Sequence, residues 1–560
     1  MRKVFKIAVT SDVHGMLYPY DFTTLSPAPG SLARVSTYVK DLRSRLGDNG
    51  VLLLDNGDIL QGQPPVYFYN FIETSVPHPV ARMLKYMRYD AQTVGNHDIE
   101  AGHPVYDRYR SDLSPIPLLG ANVTDTATGE PYFKPYSIIE RDGVRFAVLG
   151  LLTTAIPAWL PEELWSGMQV TDMVESARHW VEYIRAHERP DLVIGLFHSG
   201  YESTHLTGKW LENASGLVAR EVDGIDLIFM GHDHLRAVRR ESTGILLLNP
   251  GAHARLVAEA TVTTDIAANG RVAILDVSGD LVQIDSYEPD HAFLAEFEPE
   301  RARTLQLVEQ VIGEASGDFL GRDAYFGPSA FMELIHRLQL EVSGADISLA
   351  SPTSFDATLH KGPLRISDMF TLYRYENQLC TLSMTGLEIK NHLEMSYDLW
   401  TDVMQSPADR LLKFSTGNHI KGDYTHLINP FYNFDSAYGI VYEVDVTQLQ
   451  GNKIHIISMA DGTPFDPDKT YRVAVNAYRA NGGGELLTRG AGIPSDQLKS
   501  RIIHTTPLDL RYYLMEAIKR KGIITPTVTH NWKFVPETLT AKAIIRDREI
   551  LFPIPNDRQS

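Results

Sequence analysis

"VTSDVHGMLYPYDF", residues 9–22, places Asp12 and His14 two residues apart, directly after the apolar run V-F-K-I-A-V at 4–9. That run has the composition of a buried strand, and the acid, the imidazole and Gly15 fall where the strand ends. Taken alone, the stretch is a turn in which Asp12 and Gly15 supply backbone geometry. The same arrangement recurs down the chain. "VLLLDNGDILQG" (51–62) carries Asp58 after its strand, and "TVGNHDIEAG" (93–102) carries Asn96, His97 and Asp98. "GLFHSGY" (195–201) carries His198, and "IFMGHDH" (228–234) carries His232 and His234.

Helical patterns at 30–45, 78–89 and 172–190 separate these strands, and alternation of this type predicts an α/β layered domain. From about 245 to 286 the pattern becomes all-β. In an open α/β sheet, sites form beyond the carboxyl ends of the strands. The five turns are therefore expected to converge. Their side chains are carboxylate, imidazole and amide with no thiolate, which suits divalent Mn, Zn, Fe, Mg or Co and argues against a structural zinc site. More than four candidate ligands imply two ions that share one carboxylate.

Composition bounds the alternatives. With 560 residues more than one domain is expected, and the formal net charge of −18 argues against a nucleic-acid polymer as partner. It leaves a small phosphate ligand open, because metal ions reverse the local field. The single cysteine, Cys380, lies in an apolar run and reads as core. No run of 18 apolar residues is present, so no membrane span is expected. As given, the chain shows no signal peptide and reads as cytoplasmic; the oligomeric state is not legible. The expected organisation is a domain over 1–289, a helical linker over 290–319, a second domain over 320–540 and a tail over 541–560.

In this order, D-x-H, G-D-x-x-Q-G, G-N-H-D, H-S-G and G-H-x-H resemble the calcineurin-like metallophosphoesterases. "TLYRYENQLCTLSMTGLEIKNHLEMS" (371–396) and "AYRANGGGELLTRGAGIP" (477–494) resemble the carboxy-terminal domain of the bacterial 5'-nucleotidase family, which includes 2',3'-cyclic-nucleotide phosphodiesterase/3'-nucleotidases. The resemblance implies a four-layer α/β/β/α metallophosphoesterase sandwich followed by an α+β substrate-binding domain. It implies Asp12, His14 and His234 on one metal, Asn96, His198 and His232 on the other, and Asp58 bridging both. His97 matches a histidine near the leaving group, oriented by Glu100 or, failing that, by Asp98. Relatives of this family are commonly periplasmic, so the compartment stays open.

For the substrate, the resemblance implies aromatic residues that sandwich a base. Phe434 and Tyr478 are favoured, with Tyr432, Asn433, Arg479, Asn481 and Gly483 around them. Stacking suits bases because every base has a π-face. The turn "ASPTSFDATLHKG" (350–362) lacks the arginine of the 5'-nucleotidase pattern N-G-G-x-R, and its Phe355 resembles the cyclic-phosphodiesterase branch. The implied activity is a 2',3'-cyclic-nucleotide 2'-phosphodiesterase/3'-nucleotidase using metal-activated water. A 5'-nucleotidase or nucleotide-sugar hydrolase is the alternative within enzymes, and a catalytically idle nucleotide-binding protein is the alternative outside them.

Overall fold

In β1 (Arg2–Thr10), Phe5, Ile7 and Val9 enter one hydrophobic core while Ala8 enters another. A strand buried on both faces has this period of two. The computed structural model describes residues 1–415 and 427–553. Contacts divide the chain into Met1–Val308 and Glu309–Ser560.

The first unit continues with β2 (Val51–Asp55), β3 (Ala91–Thr93), β4 (Leu118–Leu119), β5 (Tyr136–Arg141), β6 (Val144–Leu152) and β7 (Leu192–His198). It ends its strands with β8 (Leu227–Met230), β9 (Arg236–Arg240), β10 (Leu246–Pro250), β11 (Leu256–Ile266) and β12 (Val272–Gln283). Two six-stranded sheets result, ordered β12-β11-β1-β2-β3-β4 and β9-β10-β8-β7-β6-β5. β1 to β4 pair in parallel, as do β6, β7, β8 and β10.

Phe5, Ile7, Val9, Leu52 and Leu54 of the first sheet meet Val148, Ile194, Leu196 and Phe229 of the second in one core. Helices cover the outer faces. Val35, Val39 and Leu42 of α1 (Leu32–Leu46) and Val80 and Leu84 of α2 (Pro79–Met87) pack with Ala8 and Leu53. Past the single-turn α3 (Asn96–Glu100), α4 (Met173–His187) sets Ala177, Val181 and Ile184 against Leu149, Val193 and Ile228. Three apolar layers separate four structural ones, which is the α/β/β/α sandwich.

The stretch expected to link the domains is shared between them. α5 (His291–Glu296) and α6 (Glu298–Val308) belong to the first unit, where Phe293, Phe297 and Val308 are buried in the core that includes α1. β13 (Val311–Ala315), in a segment without an evident strand pattern, is already part of the second unit.

The second unit adds α7 (Ala330–Ser343), β14 (Ile347–Ala350), β15 (Gln378–Thr385), α8 (Gly386–Trp400), β16 (Ser436–Tyr438), β17 (Thr470–Asn476) and β18 (Ile502–Asp509). Its main sheet runs β16-β14-β17-β15-β18. Cys380 is buried in β15. The expected tail is helical in its first part: α9 (Glu537–Leu551) buries Ala543 and Leu551 in the aromatic core of this unit. Residues 554–560 lie outside the described residues. Among the described residues no helix is long and apolar enough to cross a membrane.

Candidate metal centre

The parallel strands β1, β2, β3, β7 and β8 end beside one another in their sheets; His198 closes β7, and the turns that leave the other four carry the remaining expected metal ligands. The chain turns abruptly there. Asp12, His14, Asp58, His232 and His234 all have positive φ, between 48° and 73°. Asp and His tolerate this left-handed region better than most side chains, and such strain gathers at functional sites. Two glycines open the space. A Cβ on Gly95 would lie 2.1 Å from Asp58 Oδ1, and one on Gly231 would lie 2.2 Å from Ser11 Oγ.

Two groups form. Asp12, His14 and His234 bring ligand atoms within 4.8 Å of one another, and so do Asp58, His198 and His232. Hydrogen bonds on the far side of His14, His198 and His232 set their tautomers. His198 Nδ1 donates to the Asn56 carbonyl at 2.7 Å, so Nε2 is the nitrogen that faces Asp58 Oδ2 at 3.0 Å and Asn96 Oδ1 at 3.1 Å. His232 Nε2 donates to Glu212 Oε1 at 3.0 Å, so its Nδ1 lone pair faces Asn96 Oδ1 at 2.8 Å. His14 Nδ1 donates towards the oxygens of Gln61, at 3.1 and 3.2 Å, and its Nε2 faces His234 Nε2 at 3.0 Å. His234 Nε2 is in turn 3.4 Å from Asp12 Oδ1. Asp58 Oδ2 is buried and receives no well-directed hydrogen bond. Carboxylate, amide and imidazole atoms packed this closely need positive charge among them, whether a proton at His198 Nε2 or a cation in its place. The donor set therefore fits two divalent ions.

The field agrees. Burial raises the Asp12 carboxyl, but His198 and His234 outweigh it and hold the group down at about 2. Burial also opposes ionisation of Asp58, which His198 and His97 reverse to well below the ordinary range. Burial would lower His198, yet Asp58 and Asp12 raise it to about 10. The pull exerted there on a proton is the pull available to any cation at Nε2.

His97 stands at the rim of the same site, its ring 5.5 Å from that of His14. Its Nδ1 meets Glu100 Oε2 at 2.5 Å, one helical turn on. Burial lowers this imidazole, and the Asp58 and Glu100 carboxylates more than compensate, raising it to about 9. Asp98 does not orient His97. Its carboxylate accepts the backbone N–H groups of Asp58, Ile59, Leu60 and Gly95, at 2.8 to 3.0 Å. Asp98 thus braces the turn that carries Asp58.

Four residues of the site escape a reading of the sequence. Asn56 and Gln61 flank Asp58 and orient His198 and His14, and their place in the quoted motif is the signal that could have found them. Glu212 and Trp159 carry none. Glu212 follows a hairpin, Leu206–Leu211, that brings it to His232, and Trp159 stacks on the His232 ring at 5.5 Å.

In the second unit several expected substrate residues prove structural. Phe434 is buried against Trp400, with ring centroids 5.4 Å apart and planes 6° from parallel. Asn433 and Arg479 are buried and bonded to each other at 3.2 Å. Phe355 packs among Tyr325, Phe431 and Phe552. Asn481 binds back to the Ala477 carbonyl. Gly483 lies under the Tyr478 ring, where a Cβ would come within 2.4 Å of it. Tyr432 and Tyr478 are half-buried neighbours, 6.4 Å apart at 81°.

Known proteins share this organisation. Residues 5–236 match the calcineurin-like phosphoesterase family and residues 311–489 match the 5'-nucleotidase C-terminal domain. The Bacillus subtilis trifunctional nucleotide phosphoesterase protein YfkN is 25% identical over 95% of this chain, which spans 39% of that protein's length. A 2',3'-cyclic-nucleotide 2'-phosphodiesterase/3'-nucleotidase from Haemophilus influenzae is 24% identical over 97% of this chain and 89% of its own. Among solved structures, a 5'-nucleotidase precursor from Thermus thermophilus superposes with a TM-score of 0.65 at 21% identity, covering 95% of this chain and all of that one. A Staphylococcus aureus chain solved in complex with alpha-ketoglutarate reaches 0.79 at the same identity and coverage. With the two domains matched in order and the two ligand groups in place, the chain is a phosphoesterase hydrolase of the metallophosphoesterase/5'-nucleotidase family.

Proposed function

We propose that the chain hydrolyses nucleotides, taking 2',3'-cyclic nucleotides and the 3'-monoesters they yield in preference to 5'-phosphates. The observation that carries the hydrolytic part is the gathering of Asp12, His14 and His234, and of Asp58, His198 and His232, into two groups whose ligand atoms lie within 4.8 Å of one another. Asp12, His14 and His234 would hold one ion, Asn96, His198 and His232 the other, and Asp58 both. Two divalent cations held there would neutralise a phosphate ester and activate water at neutral pH.

The chain's own groups do the rest. Asp12 and Asp58 supply the negative charge that the cations would balance. Asn56, Gln61 and Glu212 hold the imidazoles in their ligating tautomers. His97, backed by Glu100, would stabilise charge on the phosphate or the leaving oxygen. Tyr432 and Tyr478 form an aromatic corner for a base, in place of the pair favoured from sequence.

The substrate preference rests on two supports: the lack of an arginine in 350–362, and the likeness to the Haemophilus 2',3'-cyclic-nucleotide 2'-phosphodiesterase/3'-nucleotidase. A panel of 2',3'-cyclic AMP, 3'-AMP and 5'-AMP with added Mn tests it. The expected order is cyclic and 3'- before 5'-phosphate. A preference for 5'-AMP would return the reading to a 5'-nucleotidase, and binding without turnover would return it to an idle nucleotide-binding protein.

A further inference from the structure

Arg479 follows Tyr478 directly, yet its side chain is only 3% exposed. Its guanidinium has five N–H donors, and each is used inside the protein. Nε donates to Asp435 Oδ2 at 2.9 Å. Nη2 donates to Asp435 Oδ1 at 2.8 Å and to the Tyr432 carbonyl at 3.0 Å. Nη1 donates to Asn433 Oδ1 at 3.2 Å and to the Gly483 carbonyl at 2.5 Å. No donor remains for a ligand.

One rigid planar group thus ties together the turn that presents Tyr432 and the turn that closes over Gly483 beneath the Tyr478 ring. Its central carbon lies 5.5 Å from that ring's centroid. The assembly is anchored behind as well: His392, buried in α8, donates from Nε2 to Asp435 Oδ2 at 2.8 Å. The glycines follow from the same geometry. Gly484 has a φ of +68°, and a Cβ there would lie 2.4 Å from Arg479 Nη1 and 2.2 Å from Asn433 Oδ1.

We propose that Arg479 is the positioning residue of the base-binding corner: held by Asp435 and His392, it fixes the spacing and angle of Tyr432 and Tyr478, and so sets affinity for the nucleoside without touching it. This rests on the proposed nucleotide reading. A lysine keeps the charge but offers a single nitrogen in place of the planar fork, so it cannot span both turns. Removing the charge outright leaves the buried Asp435 carboxylate with His392 alone and without its cation, which endangers the fold.

The test uses the full chain with its metals, well below its unfolding temperature. Adenosine, which carries no phosphate, is titrated calorimetrically, and KM and kcat are measured with the best nucleotide of the panel. In Arg479→Lys, adenosine affinity should fall and KM should rise by at least about 5-fold, the lower end of the loss of one base stack, with kcat nearly unchanged. Tyr432→Ala and Tyr478→Ala, run beside it, should show the same split. Should Arg479→Lys fail to give a folded transition, the neutral pair Arg479→Met with Asp435→Asn carries the same readouts. Undiminished adenosine affinity in a folded Arg479 variant, when the tyrosine variants have lost theirs, overturns the bracing role. A loss confined to kcat overturns it too. If neither tyrosine variant affects adenosine, it is the base-binding corner itself that fails.

Discussion

Glu212 Oε1 accepts a hydrogen bond from His232 Nε2 at 3.0 Å, and this contact decides which nitrogen of His232 faces Asn96. Trp159 covers the face of the same ring. An imidazole held at its far nitrogen by a carboxylate cannot flip and is a more basic ligand at the near one. Glu212→Ala should therefore weaken metal binding at the second group by about 10- to 100-fold, the usual effect of losing such a partner. Glu212→Gln, which retains an acceptor, should lose less. Metal titration of the two variants checks the order, and equal affinity in wild type and Glu212→Ala would falsify the role.

Asp58 is expected to serve both ions, so its loss should exceed that of a terminal ligand. Asp58→Asn should retain fewer equivalents of metal than His234→Asn, and turnover should follow. Elemental analysis after gel filtration decides it; two retained equivalents in Asp58→Asn would remove Asp58 from the bridging position.

Chelation should act on one unit only. All seven expected ligands lie within Met1–Val308. A ligand at 100 times its Kd stabilises the state that binds it by about 2.7 kcal/mol. Adding a chelator should lower the thermal transition of the first unit and leave that of the second in place, as read by calorimetry. A matching shift in both transitions would contradict the assignment.

His97→Ala should lower kcat by about 10²–10⁴, the range for a positioned acid or base, while both metals stay bound. Glu100→Gln should produce a smaller loss, because it weakens rather than removes the imidazolium. Loss of a metal equivalent from His97→Ala would make His97 a ligand instead.

Acid should destabilise the second unit through His336. This imidazole is buried between Ser348 and Ser436, and burial lowers it from 6.5 to about 4 although Asp435 pulls the other way. A histidine that titrates lower in the folded state takes up its proton on unfolding. Its contribution is thus complete above about pH 6.5 and is lost as pH falls towards 4, roughly 3 kcal/mol in all. Below that, Asp435 acts in the same sense, its carboxyl held below the ordinary range by Arg479 and His392 against the effect of burial. The difference in stability between wild type and His336→Asn should shrink as pH falls through 6.5 to 4. A constant difference would show that His336 does not titrate there.

Much of the metal centre is legible in the sequence. A buried strand declares itself by composition, and the residue where it ends is known to within a position or two. Five such ends carrying Asp, Asn or His are enough to predict convergence, since parallel strands have to deliver their carboxyl ends to one edge. Asp12, His14, Asp58, Asn96, His198, His232 and His234 duly meet there. The layered α/β fold came from the same alternation of apolar runs and helical periods.

Other features depended on distances that no local pattern encodes. An aromatic residue has the same composition in a core as at a binding surface, and only packing placed Phe434 against Trp400 and left Tyr432 and Tyr478 half-buried. Asp98 and Glu100 are equally acidic and two residues apart. The helical turn sends Glu100 to His97 and Asp98 back to the Asp58 backbone. Glu212 reaches His232 from 20 positions away only because a hairpin returns it. Arg479 was expected beside the base, but its burial leaves all five of its donors spent on the protein. Sequence determined which chemistry arrives at the strand ends, because periodicity and residue type are local. Tertiary structure alone decided which groups face the ligand and which support those that do, because that depends on which hydrogen-bonding atoms remain unpaired once the chain has packed.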